Sequence, residues 1–163
     1  MVIYLGLGTN EGNRERNLRT TINKLRQKEE LHLSKISSLY ESEPVGFKDQ
    51  LWFLNAVVEI ESKLLPHKLL QLTKSIEDQV GRKKTFRWGP RIIDIDILSC
   101  ENYTTKSKIL TIPHPEMQLR KFVLIPLSEI APTYIHPVNM LNLQQMLKKC
   151  PDSSVFWYAK FNI

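Results

Sequence analysis

Near its middle the chain reads Arg87-Trp88-Gly89-Pro90-Arg91-Ile92-Ile93-Asp94-Ile95-Asp96-Ile97-Leu98. The residues after Pro90 are rich in β-branched side chains, which predicts a strand whose side chains alternate between two faces. Asp94 and Asp96 then share one face, with Cα atoms about 7 Å apart at a rise of ~3.3 Å per residue. Isoleucines fill the other face. The stretch therefore predicts a half-polar strand that carries two neighbouring carboxylates.

Neighbouring carboxylates on an apolar strand need a partner. They repel one another, and both are costly to remove from water. A hard divalent cation between them offsets both costs, and Mg²⁺ commonly completes its shell with phosphate oxygens of a substrate. We interpret Asp94 and Asp96 as magnesium ligands.

The loop before the acidic strand is basic, with cationic side chains at Arg82, Lys83, Lys84, Arg87 and Arg91. An acidic pair beside a basic loop is typical of a metal–polyphosphate site, with the metal held from one side and the phosphates from the other. The alternative is a buried salt-bridge cluster that joins Arg91 to Asp94 and Arg87 to Asp96.

Length and composition fit one soluble domain over residues 1–163. Hydrophobic residues make up 42% and charged residues 25% of the chain, which is ordinary for a globular protein. No apolar run approaches the ~20 residues of a membrane span, and the N-terminus lacks the basic region of a signal peptide. Cys100 and Cys150 match no metal-binding spacing, which favours free thiols in the cytoplasm. The net charge of +6 suits an anionic partner without choosing between ATP, a phosphate ester and nucleic acid.

The predicted elements follow the order β-α-β-β-α-β, which indicates an α+β protein with a ferredoxin-like core. The core strands are predicted at Val2–Leu7, Leu33–Tyr40, Phe53–Ser62 and the acidic stretch, with helices from Arg14 to Lys28 and from Pro66 to Gly81. Glu41–Trp52 is predicted as a loop. Additional C-terminal elements are a strand at Ile109–Ile112 and helices at Phe122–Ile130 and Leu143–Lys149.

Two other motifs leave alternatives. The run Gly6-Leu7-Gly8-Thr9-Asn10-Glu11-Gly12 has neither dinucleotide-binding nor Walker A spacing, which favours a structural strand-to-helix turn. His114 lies between Pro113 and Pro115, which stiffen its backbone. It either contacts phosphate or caps a neighbouring group in a turn.

Phe53 and Asn55 share a face of the third predicted core strand. An aromatic ring beside an amide suits a flat, hydrogen-bonding heterocycle, which stacks on one group and pairs its edge with the other. The bland alternative is that Phe53 belongs to the core.

Taken together, the sequence resembles the 6-hydroxymethyl-7,8-dihydropterin pyrophosphokinase family of folate biosynthesis. The resemblance runs to about Pro137, and its most specific part is the Arg87–Asp96 string. It also rests on residues 5–10, 40–46, 53–56, 81–82 and 112–115. The basic loop is one residue shorter than in the best-known members, so Lys83 or Lys84 stands where an arginine is usual.

The resemblance implies transfer of a pyrophosphoryl group from ATP to the pterin's hydroxymethyl oxygen, which releases AMP. It implies two Mg²⁺ ions on Asp94 and Asp96 and catalytic roles for Arg82 and Arg91. The chain is too short to carry a fused dihydropteroate synthase, which predicts the stand-alone form, and we expect a monomer. The implied ATP-binding residues are Leu70, Arg82, Lys84, Trp88, Arg91, Ile97, Thr111, His114 and Arg120. The implied pterin-binding residues are Ser42, Glu43, Val45, Phe53, Asn55 and Phe122.

Two other functions remain as alternatives. A ferredoxin-like RNA-binding module would suit the positive charge, but the chain lacks the usual aromatic RNA-binding string, and the acidic pair would repel backbone phosphate. A two-metal nucleotidyltransferase also pairs aspartates on a strand, but it would release pyrophosphate rather than AMP.

Overall fold

The structure is a computed structural model that describes residues 1–83, 86, 88–152 and 155–161. Its strands are β1 (Val2–Thr9), β2 (Leu31–Ile36), β3 (Leu39–Ser42), β4 (Phe53–Ser62), β5 (Asp94–Cys100), β6 (Thr105–Lys106), β7 (Thr111–Ile112) and β8 (Val155–Ala159). Its helices are α1 (Arg14–Arg26), α2 (Pro66–Val80), α3 (Lys121–Ile130) and α4 (Leu143–Lys149), with a 3₁₀ turn at Met117–Leu119.

Strand β1 lies at the centre of the main sheet. It pairs antiparallel with β4 on one side and with β5 on the other. The far edge of β4 pairs antiparallel with both β2 and β3, and β8 adds to β3. The chain thus runs β-α-β-β-α-β through the core, with its second strand divided in two. The predicted ferredoxin-like fold is confirmed.

Helices α1 and α2 cover one face of this sheet. The Asn13 side chain caps α1 by accepting a hydrogen bond from the Arg16 amide at 3.0 Å. Leu18, Ile22 and Leu25 recur at helical spacing, and all three are buried against the sheet. Helix α2 begins at Pro66 and ends before Gly81, whose φ of +108° suits a residue without a side chain.

Helices α3 and α4 cover part of the opposite face. Val57 and Leu98 from the sheet pack there with Leu124 and Leu127 of α3 in a second buried cluster. The alternation predicted for β4 therefore separates two cores rather than a core from solvent. The part of this face that lies over the ends of β1, β4 and β5 contains an open cavity.

The predicted strand Leu33–Tyr40 is wrong in its extent, because β2 and β3 replace it. The break falls at Ser37 and Ser38, which are both buried. The Ser38 amide and hydroxyl both donate to the Glu129 carboxylate of α3, each at 2.8 Å. Strand β8 was not predicted, and Glu41 and Ser42 belong to β3 rather than to a loop.

The fold also bears on the predicted free cysteines and on the predicted lack of a membrane-spanning helix. Cys100 and Cys150 are both free and buried. Within the described ranges, no helix combines the length and the apolar character that crossing a membrane requires.

Candidate active site

The acidic pair faces two glycines. In the pairing of β5 with β1, Asp94 lies opposite Gly8 and Asp96 opposite Gly6. Both carboxylates and both glycines line the open cavity. A Cβ atom built on Gly8 would lie 3.3 Å from Asn55 Oδ1, so the missing side chain keeps the space between β1 and Asn55 clear. These two glycines lie within the strand, and only Gly12 belongs to the turn that the sequence predicted.

The two aspartates have unlike electrostatic surroundings. Asp94 forms ion pairs with Arg82, at 2.6 Å, and with Arg91, and Lys74 lies 3.9 Å away. Burial alone would raise the pKa of Asp94, but the charges of Arg82, Arg91 and Lys74 outweigh it and hold the pKa below its ordinary value.

Asp96 receives much less cationic support, since its recorded ion pair is a 4.0 Å contact with Arg120. Burial, and then the negative charge of Asp94, raise the pKa of Asp96 to about 6. The Arg91–Asp94 half of the salt-bridge alternative is therefore present. Its other half involves Arg87, which lies outside the described residues. The pair as a whole keeps an incompletely neutralised carboxylate beside the cavity.

This donor set fits magnesium. Neighbouring carboxylates, one with a raised pKa, favour a divalent cation that removes their mutual repulsion. Among the described residues, no group of three or more His, Cys, Asp or Glu side chains comes together as a metal site. The protein would thus supply two carboxylates, and the other ligands would be substrate or water oxygens, which is the usual pattern for Mg²⁺ bound with polyphosphates.

The cavity brings together the six side chains predicted to bind the pterin. Trp88, Arg91 and Arg120 from the predicted nucleotide set line it too, as does the acidic pair. The six are Ser42, Glu43, Val45, Phe53, Asn55 and Phe122. Residues far apart in the chain thus converge on one cavity, although their roles in binding stay predictions.

Asn55 is buried at the base of this cavity, and its amide is held in one orientation. Its Nδ2 donates to the Ser42 hydroxyl at 2.9 Å and to the Tyr40 carbonyl at 3.2 Å. Because the two shortest Nδ2 bonds go to β3, Oδ1 is turned toward Gly8 as an acceptor. An acceptor fixed in this way suits the N–H edge of a heterocycle.

Phe53 and Phe122 each lie beside an arginine of the site. The Arg91 guanidinium carbon is 6.0 Å from the Phe53 ring centroid, and that of Arg120 is 5.6 Å from the Phe122 ring centroid. Cation–π contacts at these distances restrict both partners. The aromatic and cationic side chains of the cavity are therefore in contact.

The remaining predicted nucleotide residues are placed differently. Arg82 reaches the acidic pair through Asp94. Leu70, Ile97, Thr111 and His114 are not among the described residues that line the cavity, and Lys84 lies outside the described residues. Their roles stay predictions.

His114 makes a hydrogen bond within its turn, which is one of the two roles predicted for it. Its Nδ1 accepts a hydrogen bond from the Glu116 amide at 3.2 Å. Burial, and then the charge of Arg120, lower the pKa of His114, so the ring is neutral at physiological pH. This contact leaves the predicted phosphate contact untested.

Sequence reasoning missed the residue that ties the loops together. The buried Asn10 side chain accepts from the Arg91 amide at 2.9 Å and donates to Gln50 Oε1 and the Leu51 carbonyl, both at 2.9 Å. Gln50 in turn donates to the Trp88 carbonyl at 2.8 Å. The position of Asn10 just after the Gly-x-Gly strand was the available signal, whereas Gln50 gave none.

A ferredoxin-like α+β domain with paired carboxylates and converging arginines has the make-up of a phosphoryl-transfer enzyme. Residues 4–132 match the model of the family described as 7,8-dihydro-6-hydroxymethylpterin-pyrophosphokinase (HPPK), and the chain belongs to that family. The family predicted from the sequence is therefore confirmed.

Two bacterial relatives carry the name 2-amino-4-hydroxy-6-hydroxymethyldihydropteridine pyrophosphokinase. The protein from Aquifex aeolicus is 46% identical over 143 residues, which cover 88% of this chain and 88% of that protein. The protein from Bacillus subtilis is 46% identical over 129 residues, which cover 79% of this chain and 77% of the relative.

Longer proteins also contain a similar segment. The folic acid synthesis protein fol1 of Schizosaccharomyces pombe is 40% identical over 161 residues, which cover 99% of this chain but only 22% of that protein. A solved HPPK-DHPS structure in complex with substrates superposes with a TM-score of 0.69 at 16% identity, over 91% of this chain and 43% of the other. At that identity the superposition supports the fold alone.

Proposed function

We propose that this chain transfers the pyrophosphoryl group of ATP to the hydroxymethyl oxygen of 6-hydroxymethyl-7,8-dihydropterin and releases AMP, as a step of folate synthesis. The observation that carries this proposal is the single cavity in which Asn55 and two phenylalanines meet the acidic pair and two arginines. The family to which the chain belongs is named for this reaction. Because the chain spans about a fifth of the longer fol1 protein, only the pyrophosphokinase reaction is proposed for it.

The pterin occupies the part of the cavity between Phe53 and Phe122. Its flat ring stacks on these side chains, and its N–H edge donates to Asn55 Oδ1. Ser42, Glu43 and Val45 line the same end and contact the remaining polar edge. The hydroxymethyl group then points toward the acidic pair.

Asp94 and Asp96 hold magnesium, with two ions as the expected number. When bound, magnesium neutralises triphosphate charge and favours ionisation of the attacking hydroxyl. The aspartates contribute by fixing the position of that charge on a strand whose other face is packed in the core. Burial, and then the charge of Asp94, raise the pKa of Asp96 to about 6, which supports a site where a bound cation would stabilise the ionised pair.

Arg82 and Arg91 move from Asp94 to the phosphates when ATP binds. In the present structure both guanidinium groups pair with this one carboxylate, so they already converge on the site of transfer. Trp88, Arg120, His114, Leu70, Ile97, Thr111 and Lys84 complete the nucleotide side. In a loose transition state the arginines offset charge on the transferring group and keep attacking and leaving oxygens in line.

The transfer step needs no strong general base among these residues. The hydroxymethyl oxygen bonds to the β-phosphorus while the bond from that phosphorus to the bridging oxygen of AMP breaks. The hydroxyl proton leaves to water or a phosphate oxygen. Arg82 and Arg91, once paired with the triphosphate, help to exclude water that would otherwise hydrolyse it.

The proposal extends to the state of the protein. Residues 1–163 act as one pyrophosphokinase domain, monomeric and cytoplasmic, without nucleic acid as a partner. Sedimentation of the purified chain measures its oligomeric state. A competition assay with polyanions tests whether the chain binds nucleic acid. A specific RNA site would give an affinity that depends on the RNA sequence, whereas nonspecific binding would depend only on salt.

Product analysis tests the reaction. The purified chain is incubated with ATP, Mg²⁺ and 6-hydroxymethyl-7,8-dihydropterin, and the nucleotide and pterin products are identified by mass spectrometry. AMP with a pterin pyrophosphate supports the proposal. Release of inorganic pyrophosphate with a nucleotidylated product would instead support the nucleotidyltransferase alternative, and ADP would contradict both.

A further inference from the structure

Glu77 is a buried carboxylate next to the acidic strand. The proposed reaction assigns no role to this residue. It lies on α2 with 2% of its surface exposed. Its Oε1 accepts from the Ile95 amide and from Lys74 Nζ, both at 2.7 Å. Its Oε2 pairs with Arg82 Nη1 at 2.6 Å. One side chain therefore joins the helix, two cations and the backbone between Asp94 and Asp96.

Glu77 and Asp94 share the same guanidinium nitrogen. Arg82 Nη1 lies 2.6 Å from Glu77 Oε2 and also 2.6 Å from Asp94 Oδ1. If Asp94 turns to a cation, Arg82 loses one carboxylate but keeps the other. The guanidinium can then remain beside the site instead of moving into solvent.

Anchoring α2 to β5 would not by itself require a charged side chain at position 77. The Ile95 amide needs one acceptor, which an uncharged amide oxygen could supply without the cost of burying a charge. Lys74 is half exposed and can be solvated by water. Arg82, which is more enclosed and lies next to the reacting groups, is the partner for which a fixed negative charge matters most.

We infer that Glu77 is a positioning residue, which holds Arg82 at the edge of the acidic pair. When Asp94 binds a cation instead of Arg82, the bond to Glu77 keeps the Arg82 guanidinium within reach of the transferring group. Glu77 also fixes the β5 backbone through Ile95. This inference rests on the proposed function for the role of Arg82, but the placement of Arg82 can be measured without any reaction.

A double-mutant cycle tests whether Glu77 acts through Arg82. The variants are Glu77→Gln, Arg82→Ala and the combination, and kcat, KM and the affinity for a non-hydrolysable ATP analogue are measured for each. We expect Glu77→Gln to lower kcat by about tenfold or more with a smaller change in KM. The double variant should be no slower than Arg82→Ala alone, because the residue through which Glu77 acts is already absent. Losses that multiply would overturn the inference.

Glu59→Gln is the matched control. Glu59 is also a buried carboxylate paired with a lysine, Lys35 at 3.0 Å, but it lies near the other end of β4. We expect this change to lower the melting temperature while kcat stays within about twofold of the parent in both Arg82 backgrounds. A Glu59→Gln effect on kcat as large as that of Glu77→Gln would mean that any buried carboxylate matters equally, and would also overturn the inference.

A second measurement leaves Glu77 intact, in case Glu77→Gln does not fold. The Nε–Hε resonance of Arg82, assigned by its loss in Arg82→Ala, is followed by NMR in the ligand-free parent and in Asp94→Asn. If Glu77 holds the guanidinium, this resonance stays protected from solvent exchange in Asp94→Asn. Exchange as fast as that of a surface arginine would refute the inference. Failure of the proposed reaction would appear separately, as absence of AMP formation by the parent chain.

Discussion

The same face of the sheet carries two cavities, one at each end of its central strands. The first cavity is the candidate active site, with Gly8, Asn55, Asp94 and Asp96 among its lining residues. The second cavity lies at the opposite end of β1, β4 and β5 and is lined by residues that include Tyr4, Lys35, Glu59 and Ser99. The second is the larger, about 420 against about 100 Å³. Volume therefore does not single out the site.

Several polar groups of the second cavity are paired with neighbouring side chains. Glu59 binds Lys35 at 3.0 Å and accepts from the Ser34 hydroxyl at 3.0 Å, and Tyr134 donates to Ser99 at 2.9 Å. Burial, and then the charge and hydrogen bond of Glu59, raise the pKa of Tyr4 to about 12. These pairings leave the chain little to gain from a ligand.

The first cavity differs because some of its polar groups can still accept further charge pairing or hydrogen bonds. Asp96 has weak cationic support at 4.0 Å, and Asn55 keeps an acceptor beside Gly8. Partly enclosed polar groups with spare charge or hydrogen-bonding capacity gain free energy when a ligand completes their pairing. The comparison teaches that unmet charge and hydrogen bonding, rather than space, distinguish a binding cavity from a structural one.

The largest expected effect comes from the acidic pair. Asp94→Asn and Asp96→Asn keep side-chain size but remove the charge proposed to hold Mg²⁺, so each should cut AMP formation by orders of magnitude at saturating ATP. Glu59→Gln, at the second cavity, serves as the matched change. Marked destabilisation of the aspartate variants with near-normal activity in the folded fraction would favour the salt-bridge alternative.

Arg82→Ala and Arg91→Ala should have the next largest effect. If these cations meet charge that shifts during transfer, turnover should fall by about 10²–10³-fold while affinity for the ATP analogue changes far less. Single-turnover measurements separate the two quantities, and Lys35→Ala at the second cavity controls for loss of a cation. A normal single-turnover rate with reduced ATP affinity would refute a transition-state role.

Asn55→Ala should affect one substrate only. Loss of the fixed amide should weaken pterin binding by about 1–3 kcal/mol, because a buried donor of the ligand is left unpaired. Binding of the ATP analogue should stay nearly unchanged, and Tyr134→Phe at the second cavity should alter neither. Calorimetry that shows an equal loss for both ligands would remove Asn55 from the pterin site.

The smallest expected effect concerns stability without ligands. Because the pKa of Asp96 is raised to about 6 in the folded chain, its protonation favours folding. That contribution is fully present below the unfolded pKa near 4 and is lost as the pH rises through 6. Asp96→Asn should therefore raise the melting temperature of the ligand-free chain at pH 7.5 by on the order of 1–3 °C. The gain should shrink at pH 4, and a gain independent of pH would contradict this assignment.

Local pattern was enough to predict much of the candidate site. Alternation along a strand put Asp94 and Asp96 on one face, and it put Phe53 with Asn55 on another. The family resemblance added residues such as Ser42 and Phe122, and the structure brings these to the same cavity. Such positions are predictable because they depend on neighbours in sequence or on a shared motif.

The missed features depend on contacts between distant segments. Glu77 reads as one more helical residue until its bond to the Ile95 amide is seen. The break between β2 and β3 requires Glu129 of α3, and β8 is defined by its pairing with β3. Tertiary hydrogen bonds decide these features, and no local periodicity encodes them.

The pairing of Gly8 with Asp94 also has a consequence for how the protein is made. The first strand leaves the ribosome long before its acidic partner strand, so the proposed cation site cannot form until both strands have been made. Pairings between such distant segments are slow to form, because closing the long loop between them loses conformational entropy before the stabilising contacts form. If the acidic pair binds magnesium as proposed, the ion therefore stabilises the paired strands and not the separate segments that precede their pairing.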